Sequence, residues 1–135
     1  MDAQRIEMCR HSLSHILAKA VCELYPNTKL AIGPAIDNGF YYDFDLEKSL
    51  TPEDLDTISD KMQEILKRGE DFVCREVSVD EAKAIFCDQP YKLELIEGLA
   101  DEKITLYYTG EDFVDLCRGP HVENARELQI GRAHV

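Results

Sequence analysis

The chain of 135 residues is 44% hydrophobic and 31% charged, a composition typical of one folded domain rather than a disordered segment. Its formal net charge of −12 excludes a protein that holds a long nucleic acid by its phosphates, because such binding requires a basic surface. No apolar run reaches the roughly 18 residues of a membrane helix, and no secretory signal opens the chain, so we expect a cytoplasmic protein without a membrane partner. The five cysteines form no CxxC pair, so we expect no disulfide framework and interpret most of them as small core residues.

An amphipathic helix is predicted over residues 2–24, ended by Pro26. One face of this helix gathers apolar side chains that should pack on the core, namely Ile6, Leu13, Leu17, Ala20 and Leu24. His11 and His15 fall on the opposite face, which also contains Met8, Ala18 and Cys22 and is bordered by Lys19 and Glu23. We therefore expect the two histidines to lie on a strip of small and apolar residues, away from the main core and able to line a cleft.

Residues 29–69 predict a β-hairpin followed by a second helix. Asn38-Gly39 stands between two β-prone runs and suits a type I′ turn, while Gly33-Pro34 indicates an edge position or a bulge in the first strand. Thr51-Pro52-Glu53-Asp54 predicts a capped helix start, and Gly69 follows the helix as a C-terminal cap should.

The remainder of the chain predicts a strand, a short helix opened by a capping box at Ser78, another helix, and a hairpin that turns near Gly110. These elements are predicted over residues 71–77, 78–87, 91–98, 103–109 and 112–117. The sum is an α+β domain in which helices pack on antiparallel strands.

Two pairs of residues with the same four-residue spacing indicate a possible reactive or metal-binding site. His11 and His15 stand four residues apart on the first helix, and Cys117 and His121 repeat this spacing about a hundred residues later. Alternation along the last strand puts Asp115 and Cys117 on one face, and the glycine–proline pair before His121 lets the chain turn back. If this face meets the histidine strip, three imidazoles and a thiolate converge. Such a set can hold zinc or can position and deprotonate a water molecule, and the residues alone leave both interpretations open.

Four stretches resemble, in this order, the editing domain of threonyl-tRNA synthetases: RHSLSHILAKAV, IGPAIDNGFYYDFD, PYKLELI and DLCRGPHV. The resemblance covers about residues 2–128. The paired HxxxH and CxxxH motifs are also similar to those of alanyl-tRNA synthetases and their free-standing editing relatives, but FYYDFD and LCRGPHV favour the threonyl branch.

This resemblance implies hydrolysis of the ester that wrongly joins serine to threonine tRNA. A synthetic site built for threonine excludes serine poorly, because one missing methyl group is worth only about 1–3 kcal/mol. A second, smaller site can admit serine and reject threonine by size. The implied partners are the 3′ end of the tRNA and the remainder of the synthetase, which would hold the tRNA body and explain the absence of a basic surface.

The resemblance also implies a site of seven residues: His11, His15, Cys117, His121, Asp115, Lys92 and Tyr42. We expect His11 to be the base that activates water and Asp115 to orient a neighbouring group. Lys92 and Tyr42 are expected to bind water or the ribose end and to stabilise the developing oxyanion.

Three of these residues have plainer interpretations. Lys92 would be a solvated helix lysine, and Asp115 a surface acid if its strand face were exposed. Tyr42 shares its strand face with Phe40 and Phe44 and would then be a core residue.

No cofactor is expected to be required. The alanyl relatives hold zinc with this pattern whereas threonyl members are thought to work through water, so zinc is possible at the four motif residues but not obligatory. ATP would serve only the catalytic core, which we expect to be absent together with the N-terminal and anticodon domains. Full-length members of the family are expected to be homodimers.

Residues 1–128 are expected to form an editing-type domain that is truncated at its C-terminus. Residues 129–135 are expected to be a non-native tail, because IGRAHV is what a common sequencing-adapter stretch would encode. Three other hypotheses remain beside the editing enzyme: a zinc-stabilised structural or binding module, a trans-editing deacylase of the alanyl type, and a truncated domain that is inactive alone.

Overall fold

The computed structural model of the chain describes residues 3–30, 35–36, 39–40, 44–45, 50–98, 103–117 and 121–128. Within these ranges the elements follow in the order α1 (Ala3–Leu24), β1 (Lys29–Leu30), β2 (Ala35–Ile36), β3 (Gly39–Phe40), β4 (Phe44–Asp45), α2 (Pro52–Arg68), β5 (Phe72–Ser78), α3 (Val79–Ile85), α4 (Pro90–Gly98), β6 (Lys103–Thr109) and β7 (Phe113–Leu116), before a 3₁₀ helix (Ala125–Glu127). Helices pack on antiparallel strands, which confirms the predicted α+β class. None of the described helices is long and apolar enough to cross a membrane.

Local signals set the ends of α2 and the start of α3. The Thr51 side chain accepts the Asp54 N–H while the Asp54 carboxylate accepts the Thr51 N–H, so the predicted capping box is complete. Gly69 ends α2 with φ +64°, a left-handed conformation that favours glycine. At α3, Ser78 accepts the Glu81 N–H as predicted, but the Glu81 carboxylate binds the Ser78 hydroxyl, so only half of the second box forms.

The main sheet has the order β5-β6-β7 and is antiparallel throughout. The predicted hairpin between β6 and β7 is present: Thr109 pairs with Phe113, and the turn uses Gly110 at φ +69°. Its register places Tyr107 opposite Asp115. Side chains on this face of β7 therefore point toward α1, while the other face covers α3 and α4.

Two further pairs, β1 with β4 and β2 with β3, lie between α1 and α2 in the chain. The predicted hairpin is confirmed, but the predicted turn at Asn38-Gly39 is wrong by one residue. Ile36 pairs with Gly39, so Gly39 belongs to the second strand and residues 37–38 connect the two strands. Gly33-Pro34 lies outside the described residues.

The core is organised around α1, which is covered on two sides. One side packs against α2 in a cluster that includes Leu13, Ile16, Val21, Ile58 and Ile65. The opposite side buries Ala18 against Leu30 and Phe113. The buried surface of α1 is therefore wider than the predicted stripe: Ile16 and Val21 are fully buried, and Phe113 of β7 packs on Ala18 of the strip that contains the histidines.

All five cysteines are free thiols, consistent with the expected absence of a disulfide framework. The interpretation of most of them as core residues was wrong: Cys74 and Cys87 are exposed, and only Cys9 and Cys22, both partly buried, pack against core clusters among the described residues.

Candidate functional site

The two four-residue motifs meet. One nitrogen from each of His11, His15 and His121 and the sulfur of Cys117 all lie within 4.8 Å of one another. The His121 ring centroid lies 4.3 Å from that of His11 and 4.2 Å from that of His15. Helix α1 supplies the first pair and the end of β7 with its following loop supplies the second. The expected convergence of three imidazoles and a thiol is therefore present.

His121 has polar contacts at both ring nitrogens. Its Nδ1 lies 2.9 Å from Ser12 Oγ and its Nε2 lies 3.1 Å from Cys117 Sγ. The ring stacks on Phe72 at 5.3 Å with an interplanar angle of 8°, and Tyr107 meets it edge-on at 4.4 Å. Burial, followed by the positive charges that His15 and His11 can carry, lowers the pKa of His121 to about 2. The imidazole is therefore neutral at physiological pH.

His15 is buried more completely, with 2% of its surface exposed. Burial, followed by the charges of His11 and Lys92, lowers the pKa of His15 well below its ordinary value of 6.5. Its Nε2 lies 3.6 Å from Asp115 Oδ2, which is too long for a hydrogen bond, and a neutral imidazole forms no ion pair there. Its Nδ1 is buried without a hydrogen-bond partner in the described part of the chain. The unused nitrogen of this neutral ring can accept a hydrogen bond or ligate a metal.

Asp115 and Lys92 form a buried ion pair beside these histidines. Lys92 Nζ, from α4, lies 2.7 Å from Asp115 Oδ1, and both side chains are 3% exposed. The backbone N–H of Leu116 also donates to Asp115 Oδ1 at 2.7 Å. The plainer interpretations of a solvated lysine and a surface acid were therefore wrong. The alternation that placed Asp115 on the face of Cys117 correctly predicted its direction, but no local pattern marks Lys92 as buried.

Six of the seven expected site residues are thus brought together. Tyr42 lies outside the described residues, and so does its expected contact with the ribose end of the substrate. His11 is half-buried, whereas His15 and His121 are buried, so His11 is the most accessible imidazole of the three.

Sequence reasoning missed two polar residues of α1. Ser12 is fully buried and reaches His121, although its position beside His11 could have drawn attention to it. Lys19 was expected at the border of the histidine strip, but it is 1% exposed. Its Nζ donates to Glu70 and Asp112 at 2.8 Å each and to the Thr109 carbonyl at 3.0 Å. Lys19 therefore ties α1, one turn after His15, to the β6–β7 turn.

The donor set fits zinc in its chemistry. Three imidazoles and one thiolate are ligands that zinc prefers, and ligands around a tetrahedral zinc ion lie about 3.3–3.7 Å apart. The observed spread of up to 4.8 Å would have to contract modestly, and the unpartnered Nδ1 of His15 is available to a ligand. His11, His15, Cys117 and His121 would hold such an ion. When bound, zinc would lower the pKa of a coordinated water molecule.

Comparison with known proteins identifies relatives of this site. A family model described as "Threonyl and Alanyl tRNA synthetase second additional domain" matches residues 104–130, which include Asp115, Cys117 and His121. The threonine–tRNA ligase of Dehalococcoides mccartyi is 53% identical over 124 residues, which cover 92% of this chain and 21% of that protein. The ligase of Borrelia hermsii is 53% identical over 119 residues, covering 88% of this chain and 20% of the relative. For Borreliella burgdorferi the identity is 49%, again over 119 residues.

The chain spans about a fifth of the length of these curated relatives. The matched part covers about nine tenths of the chain. By sequence, residues 104–130 thus match the threonyl and alanyl tRNA synthetase second additional domain, and most of the chain is similar to one segment of threonine–tRNA ligases.

Proposed function

We propose that this chain hydrolyses the ester that joins serine to threonine tRNA, as an editing domain. The single observation that supports this most strongly is the cluster of His11, His15, Cys117 and His121, whose ligand atoms all lie within 4.8 Å of one another. An imidazole can accept a proton from water near pH 7, and His11 is the most accessible imidazole of the cluster. The relatives suggest the substrate class, since they are threonine–tRNA ligases.

In the proposed reaction His11 removes a proton from water while the water oxygen attacks the ester carbonyl carbon. The resulting oxyanion collapses, the bond to the ribose oxygen breaks, and that oxygen takes a proton as it leaves. The products are serine and uncharged tRNA. His11 is assigned the base role because it is more accessible to a substrate than His15 and His121.

The ion pair would serve this reaction electrostatically. Lys92 brings a positive charge to the site and Asp115 fixes the position of its ammonium group. A cation held in a water-poor site stabilises developing negative charge more strongly than it would in water. We assign Tyr42 to the same task by resemblance alone.

Only a short piece of RNA would need to enter this site. A net charge of −12 opposes binding along a tRNA body, so other parts of a full-length ligase would hold that body. We propose that the natural setting is such a ligase, dimeric and cytoplasmic, with ATP used by a separate catalytic core. A second site is needed because one missing methyl group changes binding in the synthetic site only slightly. This second site would admit serine and exclude the larger threonine by size.

Hydrolysis of seryl-tRNA by the 135-residue chain tests the proposal. His11→Ala is expected to lower the rate by about 10²–10⁴, the usual contribution of general base catalysis, with an unchanged far-UV circular dichroism spectrum. Glu7→Ala, at an exposed position one turn earlier on α1, is the matched control and should hydrolyse at the wild-type rate. A folded His11→Ala variant with wild-type activity would contradict the assigned base.

Two observations favour alternative functions for this chain. The four clustered donor atoms suit a zinc-stabilised structural module, which would unfold on chelation and hydrolyse nothing. The family model also includes the alanyl branch, so a trans-editing deacylase would hydrolyse alanyl-tRNA in preference to seryl-tRNA.

A further inference from the structure

Ser12 connects α1, the helix that carries His11 and His15, to His121. It is fully buried on α1 and its hydroxyl oxygen accepts the backbone N–H of Val122 at 3.1 Å. The same oxygen lies 2.9 Å from Nδ1 of His121. The other nitrogen of that ring, Nε2, lies 3.1 Å from Cys117 Sγ.

The number of protons available decides the direction of the bond between Ser12 and His121. A serine hydroxyl has one proton to donate and two lone pairs to accept with. Val122 occupies one lone pair, and among the described residues His121 Nδ1 is the one acceptor within hydrogen-bond distance of the hydroxyl. If Nδ1 carried the ring proton, the buried hydroxyl would have nothing to donate to, which is unfavourable away from water. The hydroxyl therefore donates to Nδ1.

We propose that Ser12 is a positioning residue that fixes the tautomer of His121, with the single ring proton on Nε2. Because Nε2 faces Cys117 Sγ, that proton is directed at the sulfur. Nε2 of His121 then acts as a donor to the sulfur and does not accept a proton from water. The acceptor role in the site is left to the imidazoles of α1. This inference about the ring proton is independent of the reaction, whereas its consequence for catalysis rests on the proposed function.

The tautomer can be measured directly. Long-range ¹H–¹⁵N correlation spectra of the ¹⁵N-labelled chain, recorded with a metal chelator, distinguish protonated from unprotonated ring nitrogens, and His121→Gln identifies the signals by removing them. The wild type is expected to carry the proton on Nε2. Ser12→Ala should lose this preference, while Ser12→Thr, which keeps the hydroxyl, should retain it.

Ser14→Ala is the matched control. Ser14 is equally buried two residues along the same helix, but its hydroxyl donates to the His11 carbonyl at 2.6 Å and bonds to no ring nitrogen of the described residues. This variant should leave the His121 tautomer unchanged. A wild-type protein with the proton on Nδ1 would overturn the inference without any need for a variant. A folded Ser12→Ala variant with the wild-type tautomer would overturn it as well.

Kinetics on seryl-tRNA test the catalytic consequence. Ser12→Ala is expected to lower kcat about tenfold, the value of one ordinary hydrogen bond, and to change KM by less than about twofold. Ser12→Thr should restore most of kcat. If the wild type shows the expected tautomer but hydrolyses nothing, the proposed function fails and the assignment of Ser12 stands. If hydrolysis proceeds with the proton on Nδ1, the assignment of Ser12 fails and the proposed function stands.

Discussion

Replacing Lys92 with methionine removes the ammonium group that lies 2.7 Å from Asp115 Oδ1 and keeps most of the apolar stem. Both side chains are 3% exposed, so solvent screens this pair very little. Removal of one partner of a buried pair leaves an uncompensated charge and typically costs about 3–5 kcal/mol of unfolding free energy. We expect the loss of unfolding free energy in Lys92→Met to lie near the lower end of this range, because the Leu116 N–H still donates to the remaining carboxylate.

The double variant Lys92→Met/Asp115→Leu separates loss of charge pairing from loss of packing. Replacing both members of a buried ion pair by apolar groups is often nearly neutral, so the double variant should regain most of the stability that Lys92→Met loses. The two changes should therefore couple by at least about 2 kcal/mol in a double-mutant cycle. Equilibrium urea unfolding, with the slope checked to be the same for all four proteins, measures each value.

Two results would refute this reasoning. A loss below about 1 kcal/mol in Lys92→Met is the size expected of an exposed ion pair and would place the pair in water. Additive effects of the two changes would show that Lys92 and Asp115 do not interact.

Three further predictions concern pH, a turn and metal. Because the pKa values of His15 and His121 are lowered in the folded chain, the unfolded chain binds more protons below about pH 6.5. The free energy of unfolding should therefore be highest above that pH and should fall as the pH decreases toward 2, by up to about 1.4 kcal/mol per histidine per pH unit. Urea unfolding between pH 8 and pH 5 measures this slope, and His121→Gln should reduce it. Gly110→Ala should lose about 1–2 kcal/mol in the same assay, because Gly110 has φ +69° and a Cβ there would meet the Glu70 carboxylate, whereas Gly98→Ala, in open space at the end of α4, should lose nothing. Dialysis against a chelator should leave both the fold and seryl-tRNA hydrolysis intact; stoichiometric zinc that leaves together with activity would contradict a water-based site.

Much of the fold could be predicted because its signals are local. Periodicity predicted α1 to within one residue at its start, and capping residues predicted the start and end of α2. The spacing of the two motifs predicted the convergence of His11, His15, Cys117 and His121, because helix and strand geometry fix which side chains share a face.

What could not be predicted depends on the second layer that packs on each element. A sequence pattern identifies one apolar face of α1, but it does not show that β7 covers the other face and buries Lys19. Lys92 is similar: its partner Asp115 lies on another element, so its burial is a tertiary property. Ser12 was not predicted as a site residue because a serine within a helix gives no sequence signal, and its contact with His121, 109 residues away, is a tertiary contact.

Initial rates of hydrolysis of seryl-, threonyl- and alanyl-tRNA by the 135-residue chain test the central claim most directly. The site proposed here should hydrolyse the seryl ester on threonine tRNA fastest and should leave the threonyl ester largely intact, because the extra methyl group is excluded by size. Equal rates on the seryl and threonyl esters, or a preference for alanyl-tRNA, would contradict the claim that this cluster edits serine.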